Sequence, residues 1–128
     1  MSYNVNANAN IYSAKAENIM TEAYVVVELG TGSGQVDLPS ATTDFPFGVT
    51  LNSAPAVGDA VNVQLDGIVQ IVTAGAVTKG AQVSIASTTG RIDDATTSAG
   101  TLYVGVAMEA SGGAGEIIPV RLAIHEQS

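Results

Sequence analysis

From Tyr24 to Ile124 the chain is a succession of short apolar runs divided by glycine-bearing turns. Such runs, recurring at roughly 8–12 residues, belong to an all-β sandwich or barrel. Ala60-Val61-Asn62-Val63-Gln64-Leu65 shows the pattern most plainly, because Val61, Val63 and Leu65 alternate with polar or small residues and fall on one face. The other expected strands are Tyr24–Leu29, Gln35–Leu38, Phe47–Leu51, Ile68–Val72, Gln82–Ala86, Arg91–Ile92, Thr101–Met108 and Glu116–Ile124. Gly30–Gly34 reads as a hairpin turn, and Asp66-Gly67 as a two-residue hairpin joining the strands on either side of it. Pro119 within the last strand predicts an edge position or a bulge, since proline donates no ladder hydrogen bond. No segment after residue 24 carries a 3.6-residue stripe with caps, and only Ala95–Gly100 offers room for a short helix. No repeat of fixed length is present, which sets solenoids and propellers aside.

Residues 1 to about 20 follow another rule. Asn4, Asn6, Asn8 and Asn10 alternate with small apolar residues, and Ile11–Met20 follows. Asparagine is a poor strand former, and Val5, Ala7 and Ala9 offer little to bury. The expectation is an extended, loosely held, partner-binding arm over residues 1–23, with a helical turn possible at Ala14–Met20. A β-rich domain over residues 24–128 is then expected to fold without it. The sizeable apolar side chains of the arm, Tyr3, Val5, Ile11, Tyr12, Ile19 and Met20, are its candidate contacts, while Phe45, Phe47 and Tyr103 are candidate contacts in the body.

Charge narrows the function. The 128 residues carry 4 Lys and Arg against 12 Asp and Glu, a net charge of -8, and only 12% are charged. Phosphate recognition depends on clustered Lys and Arg, so nucleic acid is excluded as a partner, and an anionic membrane surface with it. No apolar run approaches the length of a membrane span, and the N-terminus lacks the basic and apolar regions of a signal peptide. The expectation is a soluble protein made in the cytoplasm. A surface so poor in charge must expose Ser, Thr, Asn, Gln, Gly and apolar groups, which suits contact with copies of itself or with another chain.

No constellation supports chemistry. There is no Cys and one His, His125, close to the C-terminus, so neither a thiolate site nor a conventional zinc site nor a firmly held Ser-His-Asp triad is expected. Gly30-Thr31-Gly32-Ser33-Gly34 lacks both the spacing and the following helix of a phosphate loop. The Asp93-Asp94 doublet falls far short of a calcium array and reads as a solvated turn. Asp59, Asp66 and Glu109 sit at turns and strand ends, where carboxylates serve solubility. No catalytic residue, metal ligand or cofactor is therefore expected.

The stretch Phe47-Gly48-Val49-Thr50-Leu51, through the Gly58-Asp59 turn to Val61-Asn62-Val63 and Gly67-Ile68, resembles the small capsid decoration, or cement, proteins of tailed bacteriophages. Val77–Val83, Gly105–Ala110, the Gly112–Gly115 turn and Glu116–Leu122 continue the resemblance over roughly residues 24–124. It implies a compact, β-tulip-like domain assembling as a homotrimer on the outer surface of a phage head. There it would bridge major capsid protein subunits at threefold or quasi-threefold sites and stabilise the mature capsid. Acidity agrees, because an outer protein need not face packaged DNA. Two other readings compete with this one: a virion-surface module for a host receptor or glycan, which the absence of Trp disfavours, and a trimeric enzyme with carboxylates at subunit junctions, which lacks an activating motif.

Overall fold

The computed structural model describes residues 10–95 and 101–126. Among these there are ten strands and no helix: β1 (Ile11–Ala16), β2 (Val26–Leu29), β3 (Gln35–Asp37), β4 (Gly48–Thr50), β5 (Ala60–Gln64), β6 (Ile68–Val72), β7 (Gln82–Ile85), β8 (Ile92–Asp94), β9 (Leu102–Ala107) and β10 (Ile117–Glu126). The first five close into a barrel in the order β1-β3-β2-β4-β5, and the last five form a sheet in the order β6-β10-β9-β7-β8.

Period-two burial explains how these layers meet. In β5, Val61 and Val63 are buried while Ala60 and Asn62 face solvent. In β2 both Val26 and Val27 are buried, because the strand is covered on both faces. Val27 joins Ala14, Ala16, Met20, Val36, Val61 and Val63 inside the barrel. Val26 and Val49 point outward and join Val69, Ile71, Val83, Ile85, Val104 and Val120 in the core shared with the second sheet. The halves are also tied by hydrogen bonds, from Val26 N–H to the Gly90 carbonyl at 2.8 Å and from Val72 N–H to the Tyr24 carbonyl at 2.9 Å.

The barrel corrects the expected arm. β1 runs antiparallel to β5, from Ile11 opposite Gln64 to Lys15 opposite Ala60, and parallel to β3 through Lys15 and Ala16. Residues 11–20 are thus wall rather than arm, and a boundary after residue 23 leaves one barrel strand on the wrong side. No helical turn forms at Ala14–Met20; instead Met20 and Ala54 exchange backbone hydrogen bonds of 2.9 and 2.8 Å. The reason lies in the small side chains at Ala14 and Ala16. A narrow barrel needs small inward residues, and Ala14 and Ala16 supply them. Tyr3 and Val5, with the rest of residues 1–9, lie outside the described residues.

Three local expectations also change. Asp66-Gly67 does turn, with Gly67 at φ 79°, but β5 and β6 do not pair. β5 stays with β1 and β4 while β6 crosses to β10, so the turn joins barrel to sheet. Pro119 lies in a central strand, between β6 and β9. Its carbonyl accepts the Met108 N–H, so its nitrogen faces the same side, where β9 has already ended at Ala107. β10 does contain a bulge, displaced to between Leu122 and His125. Tyr24 does not begin a strand: it takes φ 64°, held by its N–H to the Thr50 carbonyl and its carbonyl to Val72 N–H. The Gly30–Gly34 hairpin forms as expected, with Leu29 opposite Val36. The helix considered at Ala95–Gly100 falls almost wholly outside the described residues.

Candidate binding surface

Closing the barrel removes its strand edges, and the second sheet covers much of its own. On β6, the Ile68 carbonyl accepts the Gln64 side-chain amide at 2.9 Å and the Val72 N–H is taken by Tyr24. On β8, the Ile92 carbonyl accepts Ala74 N–H at 2.7 Å, and the Asp94 carboxylate accepts the Thr78 N–H and hydroxyl at 3.0 and 2.9 Å. With few free edges, a partner has to be met chiefly through side chains.

The expected contact residues divide accordingly. Ile11 and Ile19 are exposed, and so is Phe45, at 65%. Tyr12 turns inward and meets Phe47 edge-on, with ring centroids 5.5 Å apart, so both close the barrel interior and neither stands free. Met20 is a correction, being fully buried among the barrel valines. So is Tyr103, buried with its ring 4.8 Å from that of His125. Side chains of that size fill a core whenever strand alternation turns them inward.

Leu29 and Val57, 61% and 64% exposed, and half-exposed Ile117 were missed by sequence reasoning. Val57 left a signal, because the Ala54–Asp59 turn has no strand to bury an apolar side chain. The Met20–Ala54 pairing and the hydrogen bond from Gly58 N–H to the Ala16 carbonyl lay residues 17–20 along that turn. Ile19 and Val57 therefore share one end of the barrel, with exposed Pro55 and Ala56.

The charged groups are mostly committed within the chain. Arg91 grips Glu22 with two hydrogen bonds, of 2.6 and 3.0 Å, across the two halves. Lys79 stands 4.0 Å from Glu109. Glu28 is pushed above the ordinary carboxylate range by burial and then by the neighbouring Asp44 and Asp37. Asp44 is held below it, first by the Ser40 hydroxyl and then by Glu28 and the loop N–H groups of Ser40 and Ala41. Glu17 is lowered by the Thr31 N–H and hydroxyl. His125 turns Nδ1 to the Ala123 carbonyl at 2.7 Å. Among the described residues no group of three His, Asp or Glu gathers as a metal site. The described surface thus joins a closed barrel to a second sheet, with apolar side chains standing out at separate points.

The fold is all-β among the described residues. The sequence matches the phage cement protein family over residues 5–122, and the chain belongs to that family. It is accordingly a capsid-associated structural protein of a bacteriophage. No curated protein matches the sequence. Among solved structures, the fold is similar to the head fiber gp8.5 N base of bacteriophage phi29, with a TM-score of 0.69 at 17% identity, covering 90% of this chain and 94% of that one.

Proposed function

We propose that this chain cements a phage head from outside, bridging neighbouring major capsid protein subunits as a homotrimer at threefold or quasi-threefold sites, without enzymatic activity. The observation that carries the reading is the match to the phage cement protein family over residues 5–122. Net charge of -8 favours the outer surface, away from packaged DNA. A protein that binds only the mature lattice stabilises it by mass action.

The test is a titration of purified mature heads lacking this protein. Saturable binding, a mass in solution or on the particle of three times the 12.9 kDa chain, and a raised temperature of DNA release support the reading. Saturable binding with no rise in that temperature would leave a surface module and remove the cementing role. A monomer both in solution and on the particle would remove the trimer.

A further inference from the structure

A cleft of about 310 Å³ opens where the loop after β3 passes the second sheet. Thr42 and Thr43 of that loop line it, with Ser84 of β7 and the two carboxylates Asp93 and Asp94 of β8. The two carboxylates are not equivalent. Asp94 is engaged by Thr78 through two hydrogen bonds. Asp93 lies opposite Ser84 in the β7–β8 ladder, half-buried, and among the described residues its carboxylate accepts no hydrogen bond and meets no cation. Burial, and then the charge of Asp94, hold its proton affinity above the ordinary aspartate value. Arg91, next but one along the chain, is already gripped by Glu22, and Lys79 lies by Glu109. Among the described residues no cation lines the cleft.

We propose that this cleft is a socket for a lysine or arginine side chain presented by the capsid protein on which the chain sits. The hydroxyl-bearing Thr42, Thr43 and Ser84 along the cleft suit the N–H groups of such a side chain, and Asp93 supplies the opposite charge. The chemistry favours a cation because a half-buried carboxylate beside a second carboxylate gains from opposite charge as well as from N–H donors, and a lysine or arginine head brings both. The walls come from the barrel's loop and from the second sheet, so the socket exists only once the halves have packed. The proposal rests on the capsid reading above and deepens it by naming one contact and its chemistry.

The experiment measures binding to purified heads of the intact protein, of Asp93→Asn, and of Ser84→Lys, which places an internal cation across the ladder from Asp93. Affinity is followed against sodium chloride concentration, with thermal melts confirming that each variant is folded. The expected result is a loss of affinity of about tenfold or more for both variants, and a shallower salt dependence than that of the intact protein. If the intact protein does not bind heads, the capsid reading fails, and this proposal with it. If it binds, and a folded Asp93→Asn keeps its affinity within about twofold with an unchanged salt slope, the socket is refuted while the capsid reading stands.

Discussion

Replacing Met20 by alanine distinguishes a wall from an arm. Met20 is fully buried among Ala14, Ala16, Val27, Val36, Ala54, Val61 and Val63. Truncating a buried methionine to alanine costs about 2–5 kcal/mol, the spread reflecting how far the site can collapse. Met20 also borders a small surface cleft of about 120 Å³, lined by Thr21, Glu22, Val25, Leu38, Thr88 and Thr89, so part of the space it leaves can admit water. That places the cost toward the lower end, about 2–3 kcal/mol. A chain of 128 residues has a melting entropy of roughly 0.27 kcal/mol/K, from about 2.1 cal/mol/K per residue, so Tm should fall by about 7–11 °C. Ile19→Ala is the internal control, since Ile19 is 52% exposed and adjacent in the chain. It should cost under about 0.5 kcal/mol, or less than about 2 °C. Calorimetry gives both values, and urea titration should show the Met20 loss as a lower midpoint at unchanged slope. A Met20→Ala variant melting within about 2 °C of the parent would refute the reasoning and return residues 11–20 to an arm.

Three further outcomes are expected. Deleting residues 2–16 removes β1, leaves β3 and β5 with unpaired edges, and should abolish the cooperative thermal transition or drive aggregation; a sharp transition within a few degrees of the full chain would show that the barrel closes without it. Gly90→Ala should cost about 2 kcal/mol or more in chemical denaturation, because the position has φ 79° and an added Cβ would stand 2.5 Å from the Val26 carbonyl; a change below about 0.5 kcal/mol would contradict that geometry. The raised pKa of Asp93 means that its protonated form favours folding, a contribution complete below the unfolded-state pKa and lost as pH rises through the folded one. Asp93→Asn should therefore be more stable than the parent at pH 7 and converge with it near pH 3, and a gap that widens on acidification would reverse the sign.

The strands that alternate cleanly were legible in the sequence because their burial is a matter of period two. β6 occupies Ile68–Val72 just as its Val69 and Ile71 spacing implies, and β5 follows Val61 and Val63. The turns at Gly30–Gly34 and Asp66-Gly67 were legible too, since turn chemistry is decided by a few adjacent residues. The pairing of the strands on either side of a turn was not legible. Asp66-Gly67 looks the same whether its strands pair or diverge, and only competition from β1, β4 and β10 sends β5 and β6 into different sheets. β1 was hidden for the same reason: Ala14 and Ala16 bury too little to announce a strand, yet their smallness is what the barrel interior requires. Of the candidate contacts, Ile11, Ile19 and Phe45 stand exposed, while their neighbours Tyr12, Met20 and Phe47 turn inward. Phe47 and Tyr103 carry the same kind of chemistry as Phe45, and which of them faces water depends on strand direction and on what packs above. The cleft around Asp93 takes its walls from residues some forty positions apart. Composition and period are properties of neighbours along the chain, whereas barrel closure, the exposure of Leu29 and Val57, and the isolation of one carboxylate arise from contacts between segments that the chain order keeps apart.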